Sequence, residues 1–82
     1  MSAKEIFEKL GYVIREDDNQ DLVYIKTFQN KPDYFLVFYK NTKDFEKYKN
    51  KTNISLCINI EELQAINKQI EELGWNNETH KS

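Results

Sequence analysis

The chain holds two glycines, and each stands in the same local frame: Leu10-Gly11-Tyr12 and Leu73-Gly74-Trp75. Glycine enters the left-handed region without a Cβ penalty, so a leucine-glycine-aromatic triplet after an amphipathic stretch marks where a helix stops. Upstream of the first lies Ser2-Ala3-Lys4-Glu5, a capping box in which Ser2 accepts from the amide of Glu5 and Glu5 reaches back to Ser2. Met1 and Ile6 stand at the positions of a hydrophobic staple, Ile6, Phe7 and Leu10 share a face, and Tyr12 is placed to fold back onto Phe7. Upstream of the second, Asn59 and Glu62 form another box, Ile58 staples to Leu63, and Leu63, Ile66, Ile70 and Leu73 make an apolar stripe, with Trp75 placed to meet Ile70. A helix is therefore expected toward each end. With both glycines used to stop helices, none is available to a phosphate-cradling loop.

The segment between them reads as strands. Tyr12 to Glu16 is followed by a polar turn over Asp17-Asp18-Asn19-Gln20, and Leu22 to Phe28 is rich in β-branched and aromatic residues. Asn30-Lys31-Pro32-Asp33 is the next expected turn. Tyr34 to Lys40 is apolar on both faces, as a central strand would be. A turn near Asn41-Thr42 leads to Asp44–Lys49, which reads as a lysine-guarded edge, and Ile54, Leu56 and Ile58 alternate with polar residues as a last strand. Short turns join antiparallel neighbours. The expectation is an α+β domain in the order α-β-β-β-β-β-α, with an antiparallel sheet of four or five strands and both helices packed on one face. Residues 1–75 make this single domain, and residues 76–82, without an apolar side chain, form a flexible tail.

Eighty-two residues with 39% hydrophobic and 32% charged side chains are enough for one small core and unlike a disordered chain. No apolar run approaches the roughly 18 residues of a membrane helix, and no secretory leader opens the sequence. Cys57 is the one cysteine, so no internal disulfide is possible. A reduced, cytoplasmic protein with no membrane association is the expectation. The net charge of −2 conceals a pattern of acidic ends and a middle in which seven lysines face three acids between residues 22 and 58.

Catalytic and metal chemistry require convergent groups that are scarce here. His80 is the only histidine and falls in the tail, so Cys57 has no general base in an ordered segment, and one cysteine with one histidine falls short of a zinc site. Asp17-Asp18-Asn19 carries oxygens that suit calcium but lacks the glycine and distal glutamate of the helix-loop-helix site. The sequence predicts no enzyme, no metal and no cofactor.

Two surfaces stand out. The segment from Tyr34 to Lys51 interleaves aromatics with lysines, including Tyr39, Lys47, Tyr48 and Lys49, a pattern that could stack bases and track phosphates. Against nucleic acid stand the acidic total charge and the single arginine, Arg15, which lies outside the segment. Glu71 and Glu72 occupy the last turn of the second helix, where the helix dipole disfavours carboxylates, and could meet a basic partner. Beyond these, the strands place apolar groups on both faces of the sheet in either register, the pattern of an interaction surface.

Ser2-Ala3-Lys4-Glu5-Ile6-Phe7-Glu8-Lys9-Leu10-Gly11-Tyr12 and the stretch Glu61-Glu62-Leu63-Gln64-Ala65-Ile66-Asn67-Lys68-Gln69-Ile70-Glu71-Glu72-Leu73-Gly74-Trp75 resemble small uncharacterised proteins encoded by phages and prophages of low-GC Gram-positive bacteria. The resemblance implies no catalytic residues. It implies a phage or mobile-element setting in a host cytoplasm, where small noncatalytic proteins act by binding host components. The expected function is protein–protein binding, with inhibition of a host defence or regulatory protein as a specific version. The partner would be a protein of host or phage origin or a second copy in a homodimer. Single-stranded nucleic-acid binding through residues 34–51 is the alternative.

Overall fold

The computed structural model describes residues 1–49 and 57–75, with backbone alone at residues 28, 31 and 32. Helix α1 (Ala3–Lys9) leads into strands β1 (Tyr12–Asp17), β2 (Asp21–Phe28), β3 (Lys31–Tyr39) and β4 (Asp44–Lys49), and helix α2 (Ile60–Glu72) follows. The strands pair in sequence order as a four-stranded antiparallel meander, so the class is α+β. Among the described residues there is no fifth strand. Cys57, Ile58 and Asn59 lie outside regular structure and Ile58 is exposed, while residues 54–56 of the expected strand, and the tail 76–82 with His80, lie outside the described residues.

Both capping boxes form. Ser2 accepts from the Glu5 amide at 3.2 Å and Asn59 from the Glu62 amide at 2.8 Å, and each glutamate returns a bond to the cap residue's own N–H. Gly11 and Gly74 take the left-handed φ values of 95° and 79° that close the two helices. At the end of α2 the Gly74 and Trp75 amides donate back to the carbonyls of Glu71 and Ile70, both at 3.1 Å. The Tyr12 ring meets Phe7 edge-on at 5.7 Å, as the sequence placed it.

The hairpins follow local chemistry. In the β1–β2 turn, Asp18 Oδ1 accepts from the amides of Gln20 and Asp21, both at 2.8 Å, and these donors hold its carboxyl below the ordinary range. The β2–β3 turn is tighter than expected. Gln29 and Asn30 both take positive φ, 53° and 65°, as a two-residue hairpin requires, so β3 starts at Lys31 and Pro32 belongs to the strand. Pro32 is tolerated because the ladder shifts register next to it, between Lys26 and Thr27.

The core gathers Tyr12, Leu22, Tyr24, Leu36 and Phe38 from the strands with Ala3 and Phe7 of α1 and Ala65 and Ile66 of α2. Phe7 lies 4.1 Å from the Tyr24 ring, and Trp75 lies 6.2 Å from that of Phe38. The buried face of α2 keeps Ile66, Ile70 and Leu73 of the expected stripe in or against the core but not Leu63. Leu63 is 41% exposed, while Glu62 and Gln69 are buried. The reason is polar pairing: Tyr12 donates to Glu62 at 2.7 Å and Tyr24 to Gln69 at 2.6 Å, so each buried hydroxyl and its acceptor satisfy one another.

Candidate functional site: an aromatic sheet face with acidic flanks

Register sorts the strand side chains into two sets. The set carrying Tyr24 and Phe38 belongs to the core just described. The other forms three cross-strand rows. Val13, Ile25, Phe35 and Tyr48 make the first, Glu16, Val23, Val37 and Glu46 the second, and Asp21, Tyr39 and Asp44 the third. In the first row Phe35 and Tyr48 stack almost parallel, 5.0 Å apart with planes 7° from one another. Val13 is 49% exposed and Tyr48 40%. An open depression of about 260 Å³ lies here, lined by Arg15, Glu16, Asp21, Phe35, Val37 and Tyr48 among others, and no described residue of either helix lines it.

Arg15 reaches this face through a local irregularity. Ile14 pairs with Tyr24 and Glu16 with Val23, leaving Arg15 as the extra residue of a bulge. Its guanidinium sits 5.9 Å from the centre of the Phe35 ring, within cation–π range. Across the sheet the Tyr39 hydroxyl donates to Glu46 at 2.9 Å. Burial, the Glu46 hydrogen bond and nearby carboxylates push the Tyr39 phenol up to about 12.

The residues singled out from the sequence separate. Tyr39 and Tyr48 belong to this face. Lys47 and Lys49 alternate with Tyr48 and so project from the opposite side of β4. Lys47 is not a solvated edge guard: its side chain is 12% exposed and its ammonium lies 2.9 Å from Glu62 Oε2 and 3.2 Å from the Cys57 carbonyl. The Lys49 ammonium sits 5.8 Å from the Tyr34 ring centre. On α2, Glu71 is exposed and pairs with Lys68 at 3.5 Å, while Glu72 accepts from the Ala3 amide at 2.8 Å and ties the two helices together.

Sequence reasoning did not single out Arg15, Glu16, Asp21 or Glu46 as parts of one surface. The alternation of β4 was a usable signal for Glu46, but the Arg15 bulge has no mark in the residues around it. Among the described residues, no group of three or more His, Cys, Asp or Glu side chains converges as a metal site would need. None of the described helices is long and apolar enough to cross a membrane. No protein-family model, curated protein or solved structure matches this chain.

Proposed function

We propose that this chain is a noncatalytic protein-binding module whose contact surface is the sheet face bearing Phe35 and Tyr48. Both helices gather on the Tyr24–Phe38 side, which leaves the opposite side for a partner. The observation that carries the reading is the apolar Val13–Ile25–Phe35–Tyr48 row, exposed at Val13 and Tyr48 and half-buried at Ile25 and Phe35. Contiguous apolar and aromatic groups at a surface lose contact with water when a partner docks, and aromatic anchors supply most of the binding energy at such interfaces. The resemblance of the chain's two ends to phage and prophage proteins suggests a cytoplasmic host or phage protein as that partner.

Nucleic-acid stacking on this face would need lysines beside Phe35 and Tyr48. Lys47 and Lys49 instead alternate with Tyr48, Lys47 is engaged by Glu62, and carboxylates flank the exposed aromatics. These placements favour protein over nucleic acid. Capture from host lysate with wild-type and Phe35→Ser chains tests the reading. A protein bound by wild type and lost from the variant is expected. Capture indifferent to Phe35, or salt-dependent retention of the wild-type chain on single-stranded oligonucleotides, contradicts it.

A further inference from the structure

We infer that this face selects a basic partner: a protein surface on which an apolar stripe is flanked by lysine or arginine. The inference rests on the binding role proposed above and adds the chemistry of its occupant. It follows from the charges in the three rows. The regular strand positions of the face carry Glu16 and Glu46 in the second row and Asp21 and Asp44 in the third, and Arg15 at the bulge is the cation that joins them. Among the described strand residues of this face, four carboxylates thus stand beside an aromatic pair against one guanidinium, and two of the four, Asp44 and Glu46, come from the segment 22–58 whose overall sequence is basic. The lysines that make it basic include Lys26, Lys47 and Lys49, which the register places with the core side, where their ammonium groups lie over tyrosine rings. The pleat has sorted the charge, and the apolar face is left acidic.

Arg15 shows what the face accepts. A guanidinium over Phe35, with Glu16 and Asp21 lining the same depression, is the arrangement a partner's arginine or lysine would make with the ring and the acids. Arg15 is then an internal occupant that a partner's cation competes with. The apolar stripe of the partner covers the Val13–Tyr48 row, and its cations meet the second and third rows. Complementary charge of this kind sets which partner binds and how fast it arrives.

Backbone-amide NMR of the full chain tests this, with two leucine-rich amphipathic peptides as probes that differ only in carrying lysine or glutamate. The lysine peptide is expected to shift the amides of Ile25, Phe35, Val37 and Tyr48 and to bind about tenfold more tightly than the glutamate peptide, with the preference shrinking as salt rises. Arg15→Gln should tighten the lysine peptide about threefold by removing the competing cation. Equal binding of both peptides, a preference for glutamate, or loss of lysine-peptide binding in Arg15→Gln overturns the charge inference and leaves the face a docking surface. Shifts produced by oligothymidylate, or self-association through this face in sedimentation, overturn it in favour of nucleic acid or a second copy. Silence of these amides toward both peptides counts against the docking face itself.

Discussion

The Tyr12 hydroxyl donates to Glu62 Oε2 at 2.7 Å, joining the first strand to the second helix across 50 residues of sequence. Lys47 of β4 closes on the same carboxylate at 2.9 Å and the Asn59 amide at 3.1 Å, so one buried side chain links three elements. An unpaired buried charge is costly, whereas a pair replaced on both sides is nearly neutral. Glu62→Gln or Lys47→Met alone should therefore destabilise the fold by about 3 kcal/mol, and the double variant by clearly less than the sum. Urea denaturation of the four chains measures the coupling. Simple additivity would mean that Lys47 and Glu62 do not depend on one another.

Acid should act through the same group. Burial alone would raise the Glu62 carboxyl, but hydrogen bonds from Tyr12, Lys47 and the Asn59 amide outweigh it and hold it below its ordinary value of 4.5. Folding then favours the charged form, so the stabilisation is fully present above about 4.5 and is lost as pH falls toward the lower folded value. Denaturation midpoints across the acid range should fall for wild type and fall less steeply for Glu62→Gln.

Alkali should find the phenols reluctant to ionise. Burial raises Tyr12 and Tyr24, helped by Glu62 in the first case and Glu72 in the second, and Tyr39 is pushed up to about 12. Because the folded values lie above the ordinary 10.0, the stabilisation from these groups is intact below 10.0 and lost as pH rises through the folded values. Tyrosinate absorbance near pH 11 should therefore be smaller in the native chain than in urea, and the deficit should shrink in Tyr39→Phe. Equal absorbance in the two states would contradict the burial of these phenols and the Tyr12–Glu62 and Tyr39–Glu46 hydrogen bonds.

Much of this architecture was legible because it is written locally. Capping boxes span four residues and a helix stop spans three, so Ser2, Asn59, Gly11 and Gly74 declared both helices without tertiary information. Pro32, a strong turn signal, draws the expected β2–β3 turn to residues 30–33, whereas the tighter Gln29-Asn30 hairpin puts Pro32 at an irregular point of the ladder. Periodicity puts Leu63 in the apolar stripe because it counts apolar residues alone. It cannot count a glutamate that becomes buryable only when a tyrosine and a lysine from distant strands arrive. The candidate face was legible only in part. Strands apolar on both sides announce two surfaces, but which charges join which surface depends on register and on the bulge at Arg15.

Exposed anchors should be separable from structural ones. Tyr48→Ser removes a 40% exposed ring from an edge strand and should cost no more than about 1 kcal/mol of stability, since cross-strand pairs contribute about that much or less. Phe38→Ala, by contrast, empties a fully buried position beside the Phe7–Tyr24 pair and should cost about 3–5 kcal/mol. Thermal melts of the two variants check the order. A Tyr48 variant as unstable as the Phe38 variant would make Tyr48 a core residue and remove it from the contact surface.

The contact surface can be located by site-specific photo-crosslinking in living cells, with a benzophenone side chain in place of Tyr48 on the sheet face or of Glu61 on the exposed side of α2. A discrete protein adduct from position 48 and none from position 61 is the expected result. Adducts from position 61 alone, or none from position 48 at expression levels where the chain is folded, would show that the aromatic face is not where this protein meets its partner.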